Sequence, residues 1–437
     1  MTAPEASHPE IGRDGQHAVR PGEIVVGVVI GRASEFFDFF VYAIASVIVF
    51  PRLVFPHLDP LAGTLASFAI FALAFIARPF GTALFTAIDR AHGRGAKMTS
   101  ALVLLGTSTV AIAFLPGYDR IGVAAIWLLA LARIGQGLAL GGTWDGLASL
   151  LALNAPEGRR GWYAMMPQLG APAGLIVASA LFAFFVANLS AADFFDWGWR
   201  YPFFVAFAIN VVALFARLRI VQTPDYRALY ERDELQARSV TETLGAEGRN
   251  VAIGAFVPLV SFALFHMVTV FPLSWVFLFT NEGPARFLVI EAIGAMFGAL
   301  AIVASGILSD RIGRRRMLAG FAVVIAVFSG FAPQLLDAGF WGELAYMIVG
   351  FVLLGFVFGQ SSGAFAFRFG RVYRYTASAI TSDFAWLFGA GFAPLVALGL
   401  SRQFGIASSG AYLLSGAAVT LVAIYATGLP GPRQQRD

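Results

Sequence analysis

Long apolar runs recur along the whole chain, and they constrain its fold more than any other feature. Many of them reach the roughly 18 residues that indicate a membrane-spanning helix. Within hydrocarbon every backbone N–H and C=O group must be paired inside the protein, which leaves helices or closed barrels as spanning structures. Because the runs are continuous and lack the alternating polarity of barrel strands, they predict an all-α membrane protein.

The runs form two sets of six and predict twelve transmembrane helices. The first set covers residues 23–49, 62–87, 98–115, 121–151, 161–188 and 200–219. The second set covers residues 251–280, 285–308, 317–336, 342–366, 376–400 and 408–429. The predicted organisation is a tail (1–22), a six-helix bundle (23–219), a polar linker (220–250), a second six-helix bundle (251–430) and a tail (431–437).

Composition excludes several other classes of protein. Only 13% of the 437 residues are charged, against about 25% in a soluble domain. The net charge of +4 comes from basic residues in short loops, so we expect no nucleic-acid partner. The chain has no cysteine, which excludes disulfides and thiolate metal sites, and we expect neither a metal nor a cofactor. Common hydrolase motifs and the Walker A motif are absent, so we do not expect an enzyme.

Arginine residues in the loops predict how the chain is oriented. Alternate loops contain clusters, namely Arg90 with Arg94, Arg159 with Arg160, and Arg314 to Arg316. The intervening loops contain about one arginine each, such as Arg52 and Arg120. The positive-inside rule therefore predicts that the clustered loops and both termini are cytoplasmic. The polar first 20 residues lack a cleavable signal sequence, so the first span would act as the insertion signal.

One short motif follows both the second and the eighth predicted span. Its two copies are Asp89-Arg90-Ala91-His92-Gly93-Arg94 and Asp310-Arg311-Ile312-Gly313-Arg314. Parallel repeats of this kind are typical of transporters whose binding site lies between two halves at mid-membrane. Aspartate paired with arginine at a helix end can hold the halves in one state, although simple positive-inside anchoring also explains the arginines. The predicted conformational latch comprises Asp89, Arg90, Arg94, Asp310, Arg311 and Arg314.

The second copy resembles the loop signature of the major facilitator superfamily, G-x-x-x-D-R-x-G-R-[RK], over Gly306 to Arg315. Further stretches resemble its metabolite:H⁺ symporter branch. They are Gly31 to Tyr42, Arg78 to Gly81, Gln136-Gly137 with Gly141-Gly142, Asp196 to Phe204, and Arg374-Tyr375-Thr376. The resemblance implies a multi-pass transporter of the bacterial cytoplasmic (inner) membrane. Such a protein takes up a metabolite with protons by alternating access.

The chain departs from that branch at carboxylates the branch usually carries. Thr143 stands where the fourth span usually has glutamate, and Phe367 stands at the spacing of a glutamate before Arg-Tyr-Thr. Gln222 replaces the glutamate of a Glu-Thr-Pro segment. These departures keep an uncoupled facilitator or an antiporter open as alternatives to symport. A transporter-like sensor that binds without transporting is a third alternative.

Span 1 carries the densest group of ionisable residues. At 100° per residue, Arg32, Glu35, Asp38 and Tyr42 share about a third of the helix circumference. An ionised residue at bilayer depth costs about 2.5–3.5 kcal/mol or more, so each is a functional candidate. A structural alternative is an arginine–carboxylate pair that only fastens helices together. The predicted proton-coupling residues are Asp38, Glu35, Asp145 and Asp383, with Asp38 preferred because Glu35 lies one turn from Arg32.

Arginines in spans 1 and 4 favour an organic anion as substrate, since the planar guanidinium fork suits a carboxylate. We expect spans 1, 4, 7 and 10 to line the cavity. The predicted substrate-binding residues are Arg133, Arg32, Tyr42, Gln136, Trp144, Thr143, Gln168, His266 and Gln360. Arg78 is expected to pack against a neighbouring cytoplasmic loop. Other polar candidates of the second half are Asn281 and Glu291. The expected partners are protons, a small organic anion and lipid, with the chain acting as a monomer.

Overall fold

The computed structural model is helical wherever regular structure is described. It describes residues 21–143, 155–156, 158–221, 236–280, 282–361 and 368–427. Spans 1 to 6 are Pro21–Ile48, the two halves of Pro60–Ala113, Ala124–Gly142, Arg160–Asn188 and Tyr201–Val221. Spans 7 to 12 are Leu259–Phe279, Pro284–Ile312, Arg314–Ser329, Gly339–Phe358, Arg374–Phe404 and Ser409–Thr427. The predicted twelve-helix fold is confirmed.

Spans 2 and 3 lie in one helical run, Pro60–Ala113, which is broken at Gly93. As a straight helix its 54 residues would extend about 80 Å, far beyond a hydrocarbon layer of about 30 Å. Gly93 has a φ of 83°, a left-handed conformation that glycine adopts without steric cost. Gly313 has a φ of 87° between spans 8 and 9. The two copies of the repeated motif therefore make the same kind of break in both halves.

The helix ends differ from the predicted spans by several residues for local reasons. Span 2 begins at Pro60 because Asp59 caps it, accepting hydrogen bonds from the backbone N–H groups of Leu61 and Ala62, and proline fits the first helical position. The run predicted as span 7 is divided, with a helix Val240–Phe256 ending before Pro258. The boundaries predicted for tails, bundles and linker remain predictions.

Spans 2 and 4 pack backbone against backbone. A Cβ atom on Gly137 would lie 2.6 Å from the Ala74 Cα atom, and one on Gly81 would lie 2.7 Å from the Leu138 Cα atom. Only glycine permits helices to approach so closely. This contact positions Arg133, one turn before Gly137, against the backbone of span 2.

The two halves touch near both membrane faces. We call the face with the Arg94 and Arg314 loops the arginine-rich face, and the other the opposite face. At the arginine-rich face Asp310 accepts hydrogen bonds from the backbone N–H groups of Gly161 and Trp162, at 2.6 and 3.1 Å. Towards the opposite face the Ser179 hydroxyl of span 5 donates to Glu291 of span 8, at 3.1 Å. Both faces are therefore bridged in the same structure.

Candidate substrate and proton site

A small cavity lies between spans of the first half and span 11 of the second half. Its volume is about 40 Å³, enough for a few water molecules, each of which needs about 10–15 Å³. The cavity is lined by Arg32, Glu35, Phe36, Phe39, Ala74, Phe75, Arg78, Arg133, Leu140, Thr143 and Trp386. It is too small for an organic metabolite, and hydrogen bonds join the two halves towards both faces, so we describe this conformation as closed.

The lining comes from spans 1, 2, 4 and 11, which differs in part from the expected spans 1, 4, 7 and 10. Side chains of spans 7 and 10 instead pack behind the lining rings. Phe265 of span 7 and Phe358 of span 10 both contact Phe36 and Trp386, with ring centroids 5.1–6.3 Å apart. This aromatic layer separates spans 7 and 10 from the cavity in the closed state.

Arg133 lies at the cavity wall with only 1% of its surface exposed. Its Nε atom donates to the Phe71 carbonyl at 3.3 Å, and its Nη1 atom donates to Gln136 Oε1 at 3.0 Å. Its guanidinium carbon lies 3.9 Å from the centre of the Tyr42 ring, a favourable cation–π position. The Nη2 atom has no hydrogen-bond partner among the described residues. One arm of the guanidinium fork can therefore receive an anion.

Asp38 is connected to Arg133 through a single side chain. The Thr109 hydroxyl donates to Asp38 Oδ1 at 2.6 Å. The Gln136 amide nitrogen donates to Thr109 at 2.9 Å and makes a long contact of 3.5 Å with Asp38 Oδ2. Gln136 also accepts a hydrogen bond from Arg133, so one amide links the Asp38 carboxylate to the guanidinium. A change in the charge of Asp38 therefore changes the electrostatic environment of Arg133. Thr109 had not been anticipated, since it lies on another span, 71 positions away.

The two other described acids of the predicted proton set form ion pairs with arginine. Glu35 lies 2.7 Å from Arg32, one turn away on span 1. Asp383 of span 11 lies 2.7 Å from Arg78 of span 2, and the Thr82 hydroxyl also donates to it. The expectation that Arg78 packs against a cytoplasmic loop is wrong, because its side chain crosses to the second half. Asp38 makes no ion pair with any described residue, which distinguishes it from both acids.

His266 is fully buried beside the same aromatic rings. Its Nδ1 atom lies 2.7 Å from the Ala390 carbonyl oxygen. A carbonyl oxygen can only accept, so Nδ1 carries the hydrogen. Ala390 is four residues before Pro394, which has no N–H to occupy that carbonyl in a helix. His266 Nε2 has no partner among the described residues, and in the neutral ring it is a free acceptor.

The remaining predicted substrate residues lie at varied places. Thr143 lines the cavity. Gln168 is buried on a 3₁₀ turn, Met166–Leu169, outside the cavity lining. Gln360 donates to the Gly161 carbonyl at 3.0 Å, which places it at the arginine-rich face. Trp144, Asp145 and Asn281 lie outside the described residues.

Several predicted latch residues contact the other half. Asp89 and Arg94 form an ion pair at 2.9 Å, and Arg94 also donates to the Tyr375 hydroxyl at 2.7 Å. Lys97 donates to the same hydroxyl at 2.8 Å. In the second half, Asp310 contacts the first half, whereas Arg314 donates to Gln360 within its own half. Arg90 and Arg311 are solvent-exposed. Tyr375 belongs to a family motif in the sequence, and its role as acceptor for Arg94 and Lys97 is visible only in the fold.

Comparison with known proteins identifies the family. Residues 24–263 match the family described as Sugar (and other) transporter. The chain is 36% identical over 417 residues to the inner membrane metabolite transport protein YhjE of Escherichia coli (strain K12), covering 93% of each chain. The chain belongs to the major facilitator superfamily. It is a multi-pass inner-membrane metabolite transporter and not an enzyme.

Two further comparisons show how widely the similarity extends. The shikimate transporter of Escherichia coli (strain K12) is 28% identical, covering 92% of this chain and 93% of its own. The crystal structure of a D-xylose-proton symporter superposes with a TM-score of 0.70 at 17% identity, covering 95% of this chain and 98% of the symporter. The structural match supports the fold alone.

Proposed function

We propose that this transporter couples protons to the uptake of a small organic acid. The observation that carries the proposal is Arg133, a buried guanidinium in the cavity wall whose Nη2 atom has no hydrogen-bond partner among the described residues. A buried donor left unpaired is costly, and a carboxylate matches the planar fork better than any neutral group. We assign the arginine-rich face to the cytoplasm, and we expect each chain to act as a monomer.

Names of relatives are compatible with a carboxylate as the recognised group. One relative is named a shikimate transporter and another a putative proline/betaine transporter. Shikimate, proline and betaine differ in charge and shape, but each carries a carboxylate. An arginine in the cavity wall is suited to the group they share.

His266 lies behind the cavity lining in this closed state, and it supplies a second, complementary group for the substrate once the aromatic layer parts. Arg133 and His266 both contact the rings of Phe39 and Phe71. Arg133 offers a donor and the neutral His266 ring offers an acceptor. A substrate with a carboxylate and a hydroxyl group satisfies both, whereas an ammonium group would be repelled by the nearby guanidinium. Hydroxylated carboxylic acids are therefore the proposed preferred substrates.

Asp38 is the proposed proton site. It is buried, makes no ion pair with a described residue, and reaches Arg133 through Gln136. When Asp38 is ionised it competes with the substrate carboxylate for the positive charge of Arg133. Protonation of Asp38 removes that competition, so proton and anion bind together. An uncoupled facilitator is the second candidate, because Thr143 occupies a cavity position where the symporter branch usually has a carboxylate.

Ligand-induced thermal stabilisation tests anion binding. A ligand that binds the folded protein raises its apparent melting temperature. Purified protein should be stabilised by hydroxylated carboxylic acids and not by the corresponding amides. Arg133→Lys keeps the charge but loses the fork, so we expect at least about tenfold weaker binding, equivalent to about 1.4 kcal/mol.

The exposed Arg120 provides the matched control, because Arg120→Lys makes the same chemical change far from the cavity. Unchanged acid affinity in Arg133→Lys would refute the assignment of Arg133. Equal stabilisation by acids and amides would refute the proposal that the substrate is an anion.

A further inference from the structure

Glu291 of span 8 is a buried acid with no part in the transport steps described so far. None of its surface is exposed. Its Oε2 atom accepts the hydrogen bond from Ser179, and its Oε1 atom has no partner among the described residues. Span 5 belongs to the first bundle and span 8 to the second, so this contact joins the two halves.

The contact lies inside the membrane, on the side of the opposite face. Glu291 is seven residues after Pro284, where span 8 begins, and Ser179 is nine residues before Asn188, where span 5 ends. At 1.5 Å per residue both lie about 10–14 Å from the outer helix ends. Water can reach this depth only if the halves separate at the opposite face.

No basic side chain neutralises Glu291 in the described structure. Three elements pack against the outer part of span 8, namely Gly170–Asn188, Phe271–Phe279 and Gly339–Phe358. The first two contain no ionisable residue. The third contains Glu343, which is a further acid, and Tyr346, whose hydroxyl donates to a backbone carbonyl.

On span 8 itself the nearest charged residue is Arg286, and this arginine is already paired. It is partly exposed and forms an ion pair with Glu282. An ionised carboxylate buried without a counter-ion is strongly unfavourable. A neutral, protonated Glu291 carries no such cost, so the closed contact fits the protonated acid.

We infer, on the basis of the proton coupling proposed above, that Glu291 is a second proton-binding group that controls closure of the opposite face. When the halves part, water solvates the carboxyl group and its proton passes to that water. The halves close again after Glu291 has taken up a proton from the same side. Because the closed state holds one more proton than the open state, lowering the pH at this face favours closure and raising it favours opening.

The chain contains no cysteine, so a single introduced cysteine reports opening without background. Ala183→Cys places it on span 5, one turn further out than Ser179, at a buried position. Labelling by a membrane-impermeant maleimide is measured on full-length protein in liposomes, without substrate, at about pH 6 and about pH 8. The exposed Ala187→Cys, labelled in parallel, corrects for the effect of pH on thiol reactivity.

After this correction we expect Ala183→Cys to be labelled faster at the higher pH, by up to about tenfold per pH unit, the limit for one linked proton. In the double variant Ala183→Cys/Glu291→Gln, glutamine mimics the protonated acid, so labelling of the cysteine should be slow and independent of pH. Adding Glu291→Asp restores an ionisable group and should restore the response. Glu343→Gln, a matched change of a second buried acid, should keep the full response.

A corrected rate that does not depend on pH in Ala183→Cys alone would overturn the inference. A full pH response in Glu291→Gln would overturn it as well. Neither result depends on transport, because no substrate is present. If the proposed function is wrong, the uptake of the organic acid will instead be independent of the pH gradient.

Discussion

At the residue scale, two nitrogen atoms beside the rings of Phe39 and Phe71 define the proposed substrate specificity. Arg133 Nη2 is a donor and His266 Nε2 is an acceptor in the neutral ring, and neither has a partner among the described residues. The Phe39 and His266 rings stack at 5.5 Å with 15° between their planes. Phe39 lines the cavity and stacks on the imidazole, which therefore lies directly behind the cavity wall.

His266→Phe tests the acceptor. Phenylalanine keeps an aromatic ring in the packing but cannot accept a hydrogen bond. A site that binds a substrate hydroxyl group rejects an analogue without the hydroxyl, because the polar group of the site is then left unpaired. We expect lactate to bind about tenfold more weakly while propionate changes by less than about twofold, a difference near 1.4 kcal/mol. Binding is measured by thermal shift, with the exposed His57→Phe as control. Equal weakening of both acids would contradict a hydroxyl-binding role.

Sequence reasoning could propose individual polar residues as candidates, but it could not indicate most of their partners. The Arg32–Glu35 pair follows from helical spacing alone, because three residues make nearly one turn. The Arg78–Asp383 pair joins residues 305 positions apart, and no local pattern could indicate it. The same holds for Thr109 beside Asp38 and for Tyr375 beside Arg94.

At the element scale, glycines at the crossing of spans 2 and 4 determine where Arg133 lies. Gly81, Gly137 and Gly141 each bring a backbone so close that a Cβ atom would overlap it. The repeated motif predicted loops after spans 2 and 8, and the structure has breaks there at Gly93 and Gly313. The sequence does not indicate which spans cross. It also does not indicate that the Ala390 carbonyl, four residues before Pro394, accepts a hydrogen bond from His266.

Gly137→Ala tests this crossing. The added methyl group would lie 2.6 Å from Ala74 Cα, so the spans must separate, at a typical overpacking cost of about 1–3 kcal/mol. We expect a lower apparent melting temperature and weaker acid binding, because Arg133 moves with span 4. Gly320→Ala is the matched control, since a Cβ atom there meets nothing within 4 Å. A variant Gly137→Ala that is as stable as the control would show that the crossing is looser than described.

At the scale of the whole molecule, the structure is closed towards both faces. Asp310, Tyr375 and Asp383 bind groups of the first half towards the arginine-rich face, and Glu291 binds Ser179 towards the opposite face. Alternating access requires these two sets to break in turn. Repeats in the sequence predicted two halves and a central site, but not this closed state, because a sequence does not specify which state of a cycle is populated.

The central claim is that Asp38 carries the proton that accompanies an organic acid bound at Arg133. The direct test compares two modes of transport by Asp38→Asn in proteoliposomes, namely accumulation driven by an inward proton gradient and exchange between equal pools without a gradient. Asparagine keeps the size and hydrogen bonds of a protonated aspartate but cannot release a proton. The account predicts that Asp38→Asn loses accumulation and retains exchange near the wild-type rate. Accumulation by Asp38→Asn at the wild-type level, or wild-type uptake unaffected by the proton gradient, would contradict it.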